Sequence, residues 1–167
     1  NIPDANFKAY LVGNTAINTN ADTEIQVSEA AAFSGTINCE ARSITDLTGI
    51  EAFTALTDLQ CNNNQLGSLN VSMNTALIFL DCHSTQLSSL DVSTNTALTD
   101  LECQYNQLGS LDISTNTALT SLWCNSNQLN SLDVSTNTAL TTLRCNSNQL
   151  SSLNAKNGNN ASMYSFN

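Results

Sequence analysis

The chain is poor in basic residues. Only four Lys and Arg stand against fourteen Asp and Glu among 167 residues, a formal charge of -10. That field repels phosphate backbones, so nucleic acid and anionic membrane surfaces are excluded as partners. Charge of either sign is scarce at 11% of residues, aromatics make up 5%, and there is one proline. No apolar run approaches the ~20 residues that span a bilayer. Enzyme motifs of the G-x-S-x-G and H-E-x-x-H kind are also missing. What the chain has instead is Asn, Ser and Thr in quantity, with Leu at regular intervals. Each regular Leu has a place to be buried, which separates this composition from a disordered tract. A chain of this length can bury one sizeable core.

Six cysteines would ordinarily suggest three disulfides. Here they fall at Cys39, Cys61, Cys82, Cys103, Cys124 and Cys145, at intervals of 22, 21, 21, 21 and 21. A disulfide framework has no reason to be periodic, whereas a core position copied once per repeat does. The unit reads L-x-x-L-x-C-x-x-N-Q-L-x-S-L-D-V-S-x-N-T-A, with copies beginning at Leu56, Leu77, Leu98, Leu119 and Leu140. A degenerate copy precedes them around "TINCEARSI" (36–44), and a partial one follows at "MYSF" (163–166). A period in the twenties with this Leu spacing is the leucine-rich repeat signature, Cys holding the third Leu position.

The motif "LxCxxNQLxSLDVSxNTAL" resembles the 21-residue, cysteine-containing leucine-rich repeats of bacterial surface proteins. These are the internalin J-like type, also found in secreted proteins of Bacteroidetes. The resemblance covers about 34–167. It implies a right-handed solenoid with a parallel β-sheet on its concave face and short turns or irregular coil on the convex face. It also implies a secreted or cell-surface location and a role in adhesion or interaction.

The residues lead to the same architecture. In L-x-C the two apolar residues are two apart and share one face of a strand. One repeat cannot bury that face alone, but stacked neighbours can. Leu59, Leu80, Leu101, Leu122 and Leu143 then form one ladder, the cysteines a second, and Leu66, Leu87, Leu108, Leu129 and Leu150 a third. Rungs ~4.8 Å apart bring the cysteines close, but parallel side chains point alike, which suits free thiols better than disulfides. Asn64, Asn106, Asn127 and Asn148 form a ladder expected to bond backbone groups where each strand turns outward. Thr85 breaks it, so that rung is expected to be looser. Asp91, Asp112 and Asp133, with Asn70 and Asn154, precede a residue they can cap in a turn. A stacked Asp ladder holding cations is the alternative.

The repeats vary mainly beside the Leu and Cys. Rung by rung the outward residues are Asp58, Gln60 and Asn62; then Phe79, Asp81 and His83; then Asp100, Glu102, Gln104 and the adjoining Tyr105; then Ser121, Trp123 and Asn125; then Thr142, Arg144 and Asn146. The only Trp, the only His and one of two Arg lie here. Large aromatics on an otherwise polar face point to recognition. The candidate ligand-binding set is therefore Asp58, Gln60, Phe79, Asp81, His83, Asp100, Glu102, Gln104, Tyr105, Trp123, Asn125 and Arg144. Its centre is acidic, which suits a basic or amphipathic peptide, or a sugar stacked on Trp123. Asp81, His83 and Glu102 are the one plausible acid/base cluster. An open sheet without a pocket does not support an enzyme.

Residues 1–33 leave the repeat and read as a cap for the solenoid of 34–167, about six rungs with a partial seventh. "IPDANFKAYLV" is expected to be a short helix with Pro3 in its first turn, Asp4 at its positive end and Gly13 closing it. "NTNADTEIQVSE" (18–29) resembles a calcium-binding EF-hand loop. Asn18, Asn20, Asp22, Glu24 and Glu29 would be the metal ligands and any calcium would be structural. Asn at the first position and Thr23 in place of the sixth-position Gly depart from that pattern. The opening "NIPDANF" reads as a mature start after processing or a boundary within a longer protein, which is expected to continue beyond residue 167. A monomer is expected. The competing readings are an ice-binding type surface built on Thr96, Thr117 and Thr138, and a rigid spacer.

Overall fold

The computed structural model describes residues 2–158 and the backbone of Ser165 and Phe166. Helix α1 (Ala5–Val12) is followed by α2 (Val27–Ala32), and then the strands begin. Strands β1 (Thr36–Asn38), β2 (Asp58–Gln60), β3 (Phe79–Asp81), β4 (Asp100–Glu102), β5 (Ser121–Trp123), β7 (Thr142–Arg144) and β9 (Ser165–Phe166) form one parallel sheet, one strand per coil. The register is the one the 21-residue period demands. Leu59, Leu80, Leu101, Leu122 and Leu143 pair in sequence, with Ile37 ahead of them.

Stacking closes the core. The Leu and Cys ladders are buried, as are Leu66, Leu87, Leu108 and Leu129, while Leu150 is only partly covered. A further ladder of Val71, Val92, Ile113 and Val134 fills the opposite wall. All six cysteines are free thiols. The N–H groups of Cys39, Cys61, Cys82, Cys103 and Cys124 donate to the next rung at 2.8–2.9 Å, from Cys39 to Gln60 through Cys124 to Arg144.

Two Asn ladders satisfy the backbone as it leaves regular structure. In the first, Asn64, Asn106, Asn127 and Asn148 each donate from Nδ2 to the Cys carbonyl of their own rung and of the rung before. Their Oδ1 atoms accept from backbone N–H groups of the preceding rung, such as Leu87 and Leu108. The second ladder is Asn74, Asn95, Asn116 and Asn137, fully buried and donating to carbonyls of the preceding rung. The sequence reading missed it, although this Asn of N-T-A never varies between copies.

Thr85 is not simply loose. Its Oγ1 donates to Cys82 O at 2.7 Å, within its own rung. A hydroxyl is too short and too poor in donors to repeat both bonds of an Asn amide. The Gln N–H ladder, running from Gln65 to Ile44, Gln107 to Leu87, Gln128 to Leu108 and Gln149 to Leu129, skips Gln86, which is left-handed at φ 71°. The Asp expectation holds as turn capping: Asp91, Asp112 and Asp133 accept from the N–H two residues on, as Asn70 and Asn154 do. The convex side is not wholly irregular. β6 (Ser131–Asp133) and β8 (Ser152–Asn154) pair as a second, two-stranded parallel sheet.

The cap is tied to the first coil. Asp4, not Pro3, begins α1: its Oδ1 accepts from Asn6 and Phe7 N–H, and its Oδ2 accepts from Thr45 N–H and Oγ1. Pro3 lies just before it. Phe7 and Leu11 are buried on one face of α1, and Phe33 meets Phe53 edge-on at 6.3 Å.

Candidate concave binding surface

The sheet's exposed face is organised in columns, one residue per rung. Register places Asp58, Phe79, Asp100, Ser121 and Thr142 in one column, and Gln60, Asp81, Glu102, Trp123 and Arg144 in the next. His83, Gln104 and Asn125 follow the cysteines. Every candidate ligand-binding residue thus lies on this face or its rim. Their exposure differs from the expectation at Asp81 and Gln104, which are buried at 8% and 5%, and at Asn62. The reason is the short rung spacing: in-register side chains cover one another, and a residue between two long neighbours is shielded.

The ends of the second column differ in chemistry. At one end, Asn38 Nδ2 donates to Gln60 Oε1 at 2.8 Å. At the other, the Arg144 guanidinium lies 3.9 Å from the Trp123 ring centroid, a cation–π contact. At the centre, Asp81 Oδ1 accepts from His83 N–H and lies 2.7 Å from His83 Nδ1. Gln104 Nε2 donates to Glu102 Oε2 at 3.3 Å. Asp100 Oδ2 accepts from Thr99 Oγ1, as Asp58 Oδ2 does from Thr57.

Tyr105 occupies the position at which each coil turns left-handed among the described residues. Ala41, Asn63, Ser84, Tyr105, Ser126 and Ser147 have φ of 52–56°. Asn adopts this region at low cost; a bulky aromatic does not. Tyr105 nevertheless sits there with 60% of its surface exposed.

The cap loop keeps its polar atoms to itself. Glu29 Oε1 accepts from Thr19 and Asn20 N–H, and its Oε2 accepts from Gln26 N–H in a capping box. Asp22 Oδ1 accepts from Glu24 N–H, and Glu24 pairs with Lys8. Asn20 Oδ1 accepts from Asp22 N–H, and Asn18 turns Nδ2 toward the Val12 and Asp22 carbonyls. The Gln26 N–H, chief among Glu29's donors, holds that carboxyl below the usual range, and the Glu24 N–H does the same for Asp22. Asn18 Oδ1 is buried without a partner, but with Glu29 taken up by three N–H groups this arrangement does not fit a bidentate calcium ligand.

Thr96, Thr117 and Thr138 recur once per coil as a single exposed file outside the sheet. Among the described residues no helix is long and apolar enough to cross a membrane.

No family model and no curated protein matches the chain. Among solved structures it is similar to the functional domain of InlJ from Listeria monocytogenes, which includes a cysteine ladder. The identity is 40% over 92% of this chain, with a TM-score of 0.83. The chain spans 34% of the length of that domain. It is also similar in fold to internalin C2 of Listeria monocytogenes, at 18% identity over 99% of this chain and 92% of the other, with a TM-score of 0.64. The periodic thiols, the parallel register and these likenesses agree: the chain is a leucine-rich repeat solenoid of the internalin J-like, cysteine-ladder type.

Proposed function

We propose that this solenoid is an extracellular binding and adhesion module that takes a protein or glycan ligand on its concave face. One observation carries the reading. The Leu, Cys and Asn ladders repeat from coil to coil, while the adjoining column runs Gln60, Asp81, Glu102, Trp123, Arg144. The frame repeats because every coil needs it to stack; the column is free of that demand and has been filled with large, chemically distinct groups. Trp123 and Arg144 are the residue types that dominate binding hot spots, and they lie stacked and partly open to solvent. Tyr105, held in an unfavourable backbone region at the rim, adds a second exposed aromatic. A concave sheet is the surface solenoids commonly offer to partners. A secreted or cell-surface location and a monomeric state accompany this reading.

The test is a screen of a glycan array and of cell-surface proteins, run with the wild type beside a Trp123→Ala, Arg144→Ala double variant. Binding lost by a variant that melts like the wild type supports the concave site and names the ligand class. Equal binding by both moves the site elsewhere on the solenoid or its cap. No binding by either sinks the reading and leaves a spacer or the exposed Thr file, which thermal hysteresis separates.

A further inference from the structure

Four polar side chains from two neighbouring rungs meet at the centre of the concave sheet. Asp81 and Glu102 are register partners on β3 and β4. His83 and Gln104 stand two residues beyond them on the same face. One ligand atom each from Asp81, His83 and Glu102 lies within 4.8 Å of the others. Two features here are only partly compensated, Asp81 by its contact with His83 alone. Two carboxylates stand side by side, which is unfavourable on a sheet. Among the described residues neither is ion-paired with Lys or Arg. Beside them, the 95%-buried Gln104 has an Oε1 with no hydrogen-bond partner. Its amide cannot simply be reversed, because Nε2 donates to Glu102, and the flip would set oxygen against carboxylate.

A cation at this point answers both. We propose that Asp81, His83 and Glu102 form a binding site for a divalent transition-metal ion, zinc in particular. Imidazole with two carboxylates suits zinc, whereas magnesium and calcium prefer oxygen ligands alone. Three protein ligands leave the fourth position of a tetrahedral ion for water, as in open zinc sites. Gln104 Oε1 is closed to solvent as the side chain stands, so on loading the side chain turns and Oε1 accepts a hydrogen bond from that water. Loading the site breaks one existing contact. His83 Nδ1 and Asp81 Oδ1 are 2.7 Å apart, but ligand atoms around a tetrahedral zinc with ~2 Å bonds stand roughly 3.3 Å apart. Zinc therefore replaces that hydrogen bond, and the neutral imidazole carries its single proton on Nε2. The exposed Asn63, whose Nδ2 is 3.4 Å from Nε2, turns its amide oxygen to accept that proton. The ion links two rungs, neutralises the two carboxylates at the acidic centre and keeps an open coordination position. The site adjoins the Trp123–Arg144 patch, Glu102 being the register partner of Trp123, but its test reads metal binding alone and so stands apart from the proposed ligand.

The metal-free chain is titrated with zinc chloride by calorimetry, and the imidazole nitrogens are followed by NMR. His83 is the only histidine, so those signals are unambiguous. One zinc per chain should bind, with a shift of the imidazole nitrogens to the ligated pattern. His83→Gln and Glu102→Gln should each weaken binding more than tenfold while melting like the wild type, and Gln104→Ala should weaken it about tenfold. An Asp22→Asn variant in the cap loop should bind zinc unchanged. The proposal is overturned if wild-type imidazole signals do not move, if His83→Gln binds as tightly as wild type, or if calcium competes equally. Cobalt substitution gives an independent readout: a thiolate charge-transfer band would put the ion on the cysteines and overturn the assignment. Because the NMR readout uses wild-type protein, an unfolded variant would not rescue or hide the result.

Discussion

The side-chain amide of Asn106 donates to the carbonyl of Cys82 on the preceding rung at 3.0 Å, and to its own Cys103 at 3.1 Å. Its Oδ1 accepts from Leu87 N–H at 2.9 Å and from Thr85 N–H. One side chain thus satisfies backbone groups on two coils. Asn106→Ala strands several of them in the core and should cost about 2–4 kcal/mol in denaturant unfolding. Thr85→Asn should do the opposite and stabilise by about 1 kcal/mol, because an amide there can bond back to Cys61 as its neighbours do.

Leu101 and Trp123 sit on opposite faces of one sheet. Leu101→Ala opens a cavity in a central rung and should cost about 2–5 kcal/mol. Trp123→Ala, on the concave side, should change stability by well under half of that. The reverse order in urea melts would overturn the assignment of inside and outside.

Tyr105 holds a left-handed backbone that Asn and Ser hold in neighbouring coils. Tyr105→Asn should therefore stabilise the chain by about 0.5–1 kcal/mol. Ligand binding, scored in the same screen as the Trp123 variant, should fall. A variant that gains stability and keeps full binding would remove Tyr105 from the recognition surface.

Burial pushes the Cys39 and Cys124 thiols up to about 12, and Cys61, Cys82 and Cys103 are raised as well by burial and, to a smaller extent, by neighbouring thiols or Asp81. The folded thiols stay protonated where unfolded ones, near ~8.5, ionise. The unfolded state then loses protons that the native state keeps, so stability should fall as pH rises from about 8.5 toward 12. Ellman's reagent at pH 8 should react slowly with the native chain, Cys145 first because it is slightly exposed, and with all six thiols in denaturant. Rapid native reaction at the central cysteines would contradict the ladder.

In the cap, loop N–H groups already hold Glu29 and Asp22. Millimolar calcium should leave the melting temperature within that of a magnesium control, while Glu29→Gln should lower it. A calcium-specific rise lost in Asp22→Asn would show the loop to be a calcium site instead. Because both carboxyls are held below their ordinary values, their stabilisation is present above about pH 4 and disappears as pH falls through the lower folded values.

Much of this was legible in the chain alone. Periodicity fixed the rung length, the Leu and Cys ladders and the register, because in-register stacking is the only way for identical units to bury identical faces. It also identified the concave columns, since a strand's alternation assigns each residue to a face. The second Asn ladder was visible as an invariant N-T-A but went unread, because its role depends on carbonyls of the previous coil. Contacts between coils were decided by the tertiary structure. Burial of Asp81 and Gln104 depends on which long side chains flank them at the rung spacing. The stacking of Arg144 on Trp123 and the meeting of His83 and Asp81 with Glu102 join residues about one period apart, and the left-handed strain at Tyr105 depends on local backbone torsion. The sequence determined what each coil is made of; the distance and direction between coils determined what those residues can do together.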